Sequence, residues 1–486
     1  MQFYTNVTRW GDTIYYRGYE DGRQVLEKIK FEPTFYMRAK GDSSYKSLDG
    51  VPLMEHNPGS IKECNDFIEK FKDVENFTVY GNDNYPIQYI AKKFTKKVIY
   101  NLDNITIYTI DIETAKNIVT GYSEAKDATE PITLITVRDS YTKRIITFGC
   151  KEYTPTNELV KYVQCKDETD LLVKFIEFLS KRYPDVITGW NVDNYDVTYI
   201  SKRIENVLGE EAQKRLSPWG IVRKKTSKIS AYGDEVVTYD IKGIEILDYL
   251  DLYKKFSFTP REEYKLDFIG EVELGEKKVD YSDYDDLEDL SQRNWKLFVD
   301  YNIQDTVLVS KLEDKMKLIA LIITMAYEAK CNYSDVFSPV GMWDSIIYNH
   351  LLSKNIIVPM KRFGAKAESF EGGYVETPII GMHEWVVTFD ASSLYPSIMV
   401  AYNISPETFV GIDRNVTPEA ILNDKVLLDT TVTTCANGAM FSRDKQGFVG
   451  ELVEYFLDYR KKAKNEMIKK EKELEEVKKE ILRRGL

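Results

Sequence analysis

Apolar positions in residues 1–105 fall in short alternating runs that hold Phe3, Val7, Ile14, Tyr16 and Val25. Alternation of period two predicts strands, and Gly11-Asp12 and Asp21-Gly22 predict the turns between them. Ile61 to Phe71 changes to helical spacing. No chemistry stands out before residue 105, so this part reads as a structural or nucleic-acid-supporting domain. From there the pattern becomes α/β. Ile105–Ile110, Ile132–Val137 and Ile145–Phe148 predict a strand meander. A helix over Glu168–Lys181 and an apolar run at Val186–Asn191 then predict a mixed sheet flanked by helices. Residues 221–242 alternate around Tyr232-Gly233-Asp234 and predict a β-hairpin. Residues 288–330 predict a long helical region with Trp295, Phe298, Val299 and Leu308 on its apolar face. Trp385–Asp390 reads as a buried strand ending in an acid. Glu451–Leu486 predicts a long helix whose stripe of Val453, Phe456, Ala463, Met467, Leu474, Val477 and Ile481 suggests a packed seam.

At 486 residues the chain exceeds one ordinary core, so about three domains are expected, and its composition is that of a soluble globular protein; with the element pattern above, the expected fold class is multidomain α/β. No apolar run is long enough to span a membrane, and Met1-Gln2-Phe3-Tyr4 starts no signal peptide. Five cysteines without paired spacing predict a reducing compartment and no structural zinc, hence a cytoplasmic protein. The net charge of −12 argues mildly against nucleic acid as a partner, although a local basic stripe outweighs the sum. The three histidines form no zincin pattern, and neither a P-loop nor a Gly-x-Ser-x-Gly turn occurs. The chemistry of this chain therefore rests on carboxylates and metals.

The candidate residues follow from the predicted elements. Asp111 and Glu113 close the first strand of the α/β region, and a strand points residues i and i+2 to one face. Two such carboxylates repel unless a cation such as Mg²⁺ or Mn²⁺ lies between them. Asp196 falls at a helix start after a Gly-Trp-Asn turn. Tyr301 and Asp305 share a helix face four residues apart and add a phenol and a further acid. Arg223, Lys224, Lys225 and Lys228 make the first hairpin arm basic, which suits phosphate contact. Asp390, at a strand end before the small-residue turn Ala391-Ser392-Ser393, can hold a metal and offer N–H groups to phosphates. Gly372-Gly373 marks a close backbone approach. Arg460 and Lys464 share a helix face with a spacing that fits a polyphosphate.

Taken jointly, Asp111-x-Glu113, Asp196 and Tyr301-x-x-x-Asp305 resemble the three exonuclease motifs of family B DNA polymerases. Asp390-x-x-Ser393-Leu394-Tyr395-Pro396-Ser397 resembles their polymerase motif A, and Phe370–Tyr374 resembles the Tyr-x-Gly-Gly motif between the two activities. Leu247–Phe256 and Asn403–Thr408 are similar to the T-even-like bacteriophage enzymes in particular, which implies a host-cell cytoplasmic location. The resemblance implies an N-terminal mixed α+β domain over 1–105 and an RNase H-like 3′-5′ exonuclease domain over 106–315. It further implies a helical segment returning to the N-terminal domain over 316–365, a partial palm over 366–445 and the first half of the helical fingers over 446–486.

It also implies roles. Asp111, Glu113, Asp196 and Asp305 bind two metals, Mg²⁺ or Mn²⁺, about 4 Å apart. Tyr301 orients the attacking water, and the hairpin helps part primer from template. Asp390 and the Ala391 carbonyl bind the polymerase metals. The backbone of Ser393, Leu394 and Tyr395, together with Arg460 and Lys464, faces the dNTP, and Tyr395 lies beneath its sugar. The partners implied are primer-template DNA, a single-stranded 3′ end and dNTP, with no membrane. The family's Asp-Thr-Asp and Lys-x-x-x-Asn-Ser-x-Tyr-Gly motifs are absent from this sequence. The expectation is therefore the N-terminal part of a split or truncated DNA polymerase that proofreads alone and synthesises with a C-terminal partner chain. The alternative is a stand-alone exonuclease with a vestigial palm.

Overall fold

The computed structural model describes residues 1–72, 74–75, 77–117, 119–228, 235–360, 377–423 and 430–484. These fall into two units, residues 1–37 with 55–352, and residues 38–54 with 353–486.

In the first unit, β1 (Gln2–Trp10), β2 (Thr13–Glu20) and β3 (Arg23–Lys30) form an antiparallel sheet. Its turns lie at Gly11 and at Asp21-Gly22, as the sequence predicts, and all three residues have the positive φ that tight hairpins require. A bulge leaves Thr5 unpaired, because Tyr4 faces Gly18 while Asn6 faces Arg17. The extra residue re-aims Thr5, whose hydroxyl donates to Asp185 at 3.0 Å. Next along the chain come the short strands β4 (Phe35–Arg38), β5 (Tyr45–Ser47) and β6 (Pro52–His56), of which β5 belongs to the second unit. The helix predicted over Ile61–Phe71 is α1, started by a reciprocal Ser60–Glu63 capping box. A second helix, α2 (Tyr85–Lys93), is not anticipated from periodicity; six of its nine residues are buried, which erases the amphipathic signal.

The central sheet runs β10-β9-β8-β7-β11-β14. Its strands are β7 (Ile107–Thr114), β8 (Ile132–Asp139), β9 (Ile145–Gly149), β10 (Val160–Gln164), β11 (Val186–Thr188) and β14 (Glu245–Ile246). β7, β8 and β9 form the predicted antiparallel meander, and the remaining pairings are parallel. Tyr108, Ile110 and Ile112 of β7 pack in one core with α3 (Glu168–Lys181) and α4 (Asp196–Leu208). Residues 109, 111 and 113 alternate to the other side, where the Thr109 hydroxyl meets that of Ser310 at 3.2 Å. Beyond α4 come α5 (Glu210–Lys214) and the predicted hairpin, β12 (Val222–Lys228) with β13 (Glu235–Ile241). Its turn, Tyr232-Gly233-Asp234, lies outside the described residues.

After the sheet come α6 (Tyr249–Phe256), α7 (Leu266–Leu274), α8 (Leu287–Arg293), α9 (Trp295–Met316), α10 (Leu318–Ala329) and α11 (Pro339–Ser353). The single helical region read from the sequence is thus three helices, interrupted at the N-cap Asn294 and at Lys317, which takes a left-handed conformation. α10 returns to β1: the Tyr327 hydroxyl donates to the Tyr4 carbonyl at 2.7 Å and the Tyr4 hydroxyl to the Cys331 carbonyl at 2.8 Å.

The first unit is bound together by a fully buried ion pair. Arg17 and Asp185 are both 0% exposed, with Nη2 3.3 Å from Oδ1. Arg17 also donates to the carbonyls of Tyr183, Pro184 and Gly243, at 2.6, 2.5 and 2.7 Å. Asp185 accepts from the Tyr19 hydroxyl at 2.8 Å and the Thr106 N–H at 2.9 Å. Desolvating two charges is repaid only when their remaining donors and acceptors are met, which these bonds accomplish.

In the second unit, β15 (Ile356–Ile357) runs parallel to β5. Next come α12 (Leu394–Ala401), β16 (Phe409–Ile412), α13 (Pro418–Leu422), β17 (Val432–Thr434), β18 (Ala439–Ser442) and the 37-residue α14 (Phe448–Arg484). β16, β18 and β17 form an antiparallel sheet. Two sequence expectations fail here. Trp385–Asp390 is neither buried nor a strand: Trp385 is 96% and Phe389 91% exposed, and no strand pairs with the run among the described residues. A strand needs a ladder partner to satisfy its backbone, and an apolar run records that need without supplying the partner. The stripe on α14 likewise forms no packed seam beyond its first turns, with Met467, Leu474 and Val477 each more than half exposed. No described helix is long and apolar enough to cross a membrane. The five cysteines are free thiols.

Replacing Asp185 with Ala leaves Arg17 buried and unpaired. Denaturant unfolding is expected to show a loss of about 3–5 kcal/mol. Burial also pushes Glu245 up to about 7, against the hydrogen bonds from Ser334 and Asn6. A raised carboxyl stabilises the fold below its ordinary pKa, and that contribution is lost as pH rises through about 7. The fall in melting temperature between pH 5 and pH 8, about the span of this titration, should therefore be smaller in Glu245→Gln.

Candidate functional site

Three elements bring the predicted acids to one place. β7 carries Asp111 and Glu113, the first turn of α4 carries Asp196, and one face of α9 carries Tyr301, Asn302 and Asp305. α4 starts beside β7 because of the turn before it. Gly189 lies so close to β7 that a Cβ there would stand 2.5 Å from the Ile110 carbonyl oxygen. Asn191 takes a left-handed conformation. The buried carboxylate of Asp248, which caps α6, accepts the N–H groups of Asn191 and Asp193 at 3.0 and 3.1 Å. Asp196, 4% exposed, then accepts the Ile112 N–H at 2.9 Å through Oδ1. That bond joins α4 to the strand residue between Asp111 and Glu113.

Asp111, Tyr301 and Asp305 line a cavity of about 930 Å³. Trp190, Leu250, Tyr264 and Tyr281 add apolar and aromatic wall, and Asp267 and Lys278 add charge. The site is electrostatically costly. Burial, then the charge of Asp305, holds the Asp111 carboxyl well above the usual range. Burial, Asp111 and Asp305 do the same for Glu113, and burial and Asp111 for Asp196. Asp305 is pushed up to about 6 by burial, against the pull of Lys278. Burial also raises the Tyr301 phenol, so it stays neutral at physiological pH.

Two residues that the sequence reading does not single out answer these charges. Lys278, in the loop after α7, places Nζ 2.5 Å from Asp305 Oδ2 and 3.0 Å from the Tyr301 hydroxyl. Burial works against its charge, but Asp305 and Tyr301 hold its ammonium well above the usual lysine range. Asn302, 0% exposed, donates from Nδ2 to Asp111 Oδ2 at 2.6 Å. Asn302 is adjacent to Tyr301 and could have been found from its place on that helix. Lys278 lies in a loop without periodicity, and nothing local marks it.

The donor set is all oxygen and suits a hard divalent cation. Asp305 Oδ1 is buried without a hydrogen-bond partner among the described residues, which leaves an acceptor open for one. In the arrangement seen here Lys278 holds Asp305, and no three described side chains close round one point as a metal shell. The residues therefore fit the ion by chemistry, with Lys278 as the resident counter-charge.

Of the hairpin candidates, Arg223, Lys224 and Lys225 are all exposed, and Lys225 also lies 3.4 Å from Asp240 on the partner strand. The side chain of Lys228 lies outside the described residues, as does Phe370–Tyr374.

In the second unit, Ser393 has φ 52° and opens α12, so the N–H groups of Ser393, Leu394 and Tyr395 lie at that helix's first turn. Arg460 Nη1 donates to the Ser393 hydroxyl at 3.1 Å, which brings those two candidates together. Lys464 is one turn further along α14 and exposed. Asp390 and Ala391 are exposed on the segment that forms no strand. Asn403–Thr408 anchors the start of α14: Asn403 Oδ1 accepts the Gly447 N–H at 2.8 Å and Glu407 Oε1 the Phe448 N–H at 2.6 Å.

Comparison with known proteins agrees with these two halves. The sequence description of the DNA polymerase family B exonuclease domain matches residues 79–269, and that of DNA polymerase family B matches residues 343–483. Tyr301 and Asp305 lie beyond the first match. The DNA-directed DNA polymerase of Escherichia phage RB69 is 30% identical over 96% of this chain and 54% of its own length. That of Enterobacteria phage T4 is 29% identical over 99% of this chain and 56% of its own. A DNA polymerase of Thermococcus gorgonarius is 23% identical over 92% and 59%. The chain thus spans a little over half the length of these curated relatives.

Like-charge repulsion in the cavity predicts a gain on removing one acid. In metal-free buffer at pH 8, Asp111→Asn should melt at a higher temperature than the parent. The gain should shrink as the pH falls through about 6, where Asp305 takes up its proton.

Proposed function

The chain belongs to DNA polymerase family B, and from that premise we propose that its first unit removes nucleotides from the 3′ end of DNA. The observation that carries this reading is the meeting of Asp111, Tyr301 and Asp305 on one cavity, with Glu113 and Asp196 on the adjoining elements. Asp111, Glu113, Asp196 and Asp305 are the residues that would hold Mg²⁺ or Mn²⁺, two ions per site in our reading. When bound, such ions supply a water acidic enough to attack at neutral pH and charge to steady the leaving 3′ oxygen.

The chain's own residues do the rest. Asn302 holds Asp111 in one rotamer through its amide. Tyr301, a neutral phenol, orients the attacking water. Lys278 meets the negative charge that gathers as the phosphodiester opens. The aromatic wall of Trp190, Tyr264 and Tyr281 offers stacking to an unpaired base, which favours a frayed end over a paired one. The basic hairpin arm, Arg223, Lys224, Lys225 and Lys228, touches the DNA backbone beside it.

In the second unit we assign half of a polymerase site. Asp390 and the Ala391 carbonyl are its metal ligands. The Ser393–Tyr395 backbone, Arg460 and Lys464 receive the dNTP triphosphate, and Tyr395 supports the sugar. The hydrogen bond from Arg460 to Ser393 supports this grouping. Nucleotidyl transfer by two metals takes a second carboxylate beside Asp390. The family carries it in an Asp-Thr-Asp motif, which does not occur within residues 1–486. The boundaries proposed are 1–105, 106–315, 316–365, 366–445 and 446–486.

With Mg²⁺, this polypeptide is expected to shorten 5′-labelled single-stranded DNA from its 3′ end and to stop on chelation. Asp111→Ala with Glu113→Ala should remove the activity, and Tyr301→Phe should lower it roughly 10- to 100-fold. Full activity in the double variant overturns the assignment. Residues 1–486 should not extend a primer by themselves, so extension by them alone would refute the half-site.

A further inference from the structure

Lys278 stands in a loop, where a long side chain ordinarily has the freedom to leave a site. Its backbone is nevertheless held at several points. α7 ends at Gly275, which takes φ 71° and donates to the Glu271 carbonyl at 2.9 Å. The chain then turns back so closely that a Cβ on Gly270 would lie 2.9 Å from the Glu276 carbonyl oxygen. Glu276 is gripped by Lys311 of α9, whose Nζ lies 2.7 and 2.6 Å from its two carboxylate oxygens. Two residues later the Lys278 N–H donates to Asp267 Oδ1 at 2.8 Å.

Asp267 sits in the first turn of α7 and lines the same cavity as Lys278. Its charge works against Asp305 ionising, so as a mere fifth acid it would burden the site. What it supplies is a fixed acceptor. By holding the Lys278 amide, it sets the Cα from which the side chain reaches Asp305 at 2.5 Å and Tyr301 at 3.0 Å.

We propose that Asp267 is a positioning residue of the nuclease site, acting through the Lys278 backbone amide and not through its charge. The proposal rests on the nuclease reading given above. An amide oxygen accepts the same bond, so asparagine should replace Asp267 and alanine should not. Misplacing a charged group by about 1 Å costs up to 10²-fold in rate.

The test is a double-mutant cycle on the full chain, with Mg²⁺ and a single-stranded oligonucleotide. Asp267→Ala should lower kcat roughly tenfold or more and leave KM within about twofold. Asp267→Asn should stay within about threefold of the parent, because it keeps the acceptor. In a Lys278→Met background, Asp267→Ala should change kcat less than about twofold, since the residue it positions is gone. Equal losses in Asn and Ala, or the same loss in both backgrounds, overturn the proposal. Hydrogen exchange at the Lys278 amide is the second readout. It should quicken roughly tenfold or more in Asp267→Ala and not in Asp267→Asn, and unchanged exchange in Asp267→Ala also overturns the proposal. A parent chain without nuclease activity would overturn the nuclease reading instead, and the exchange measurement would still decide whether Asp267 holds the loop.

Discussion

A charge taken out of water must be answered, and the first unit is built round two answers to that demand. Asp185 and Arg17 are completely buried and draw on the hairpin of β1 and β2, the start of β7 and the turn before β14 for their hydrogen bonds. None of these elements is close to the others in sequence. The pair can form only when the N-terminal strands and the central sheet are both in place, so it specifies their assembly more than it strengthens it. The bulge at Thr5 belongs to the same device, since regular pairing would turn that hydroxyl elsewhere.

The cavity presents the opposite case, with acids in excess. Asp111, Glu113, Asp196 and Asp305 all have raised pKa values, with burial as the first cause. Lys278 and Asn302 answer only part of that demand. An unanswered remainder is a stability cost in the free protein and a driving force for cation binding, because an ion that meets these oxygens relieves what the fold leaves unmet. The raised Tyr301 phenol fits the same economy of charge, as a neutral donor adds no further anion.

The second unit shows a related dependence of local elements on distant ones. α14 is long and exposed along most of its length, yet its start is closely held. Asn403 and Glu407 accept N–H groups of its first residues, and Asn403 also donates to the carbonyls of Ser442 and Lys445. The stretch Asn403–Thr408 thus acts as a cap assembled from outside the helix. Arg460 projects from this anchored part to Ser393, whose left-handed backbone opens α12. Two candidates 67 residues apart are joined by that one contact.

Much was already present in the order of residues. Alternation over β7, β8 and β9 and the 3-4 spacing of α1 and α3 are local signals, because each strand or helix repeats its own period whatever it packs against. The strand period alone placed Asp111 and Glu113 on one face, and the helix period placed Tyr301 with Asp305. Mostly buried α2 carried no such signal. Trp385–Asp390 carried a misleading one, since an apolar run states only that burial would be favourable. What tertiary structure decided was every relation between elements: Asp196 against Ile112, Arg17 against Asp185, and Lys278 between Tyr301 and Asp305. Lys278 lies 23 residues before Tyr301 in a loop, and its role depends on where the chain returns after α7. Periodicity is set by the backbone of a single segment, whereas the meeting of charges is set by packing, and only the packed chain determines which charge each carboxylate meets.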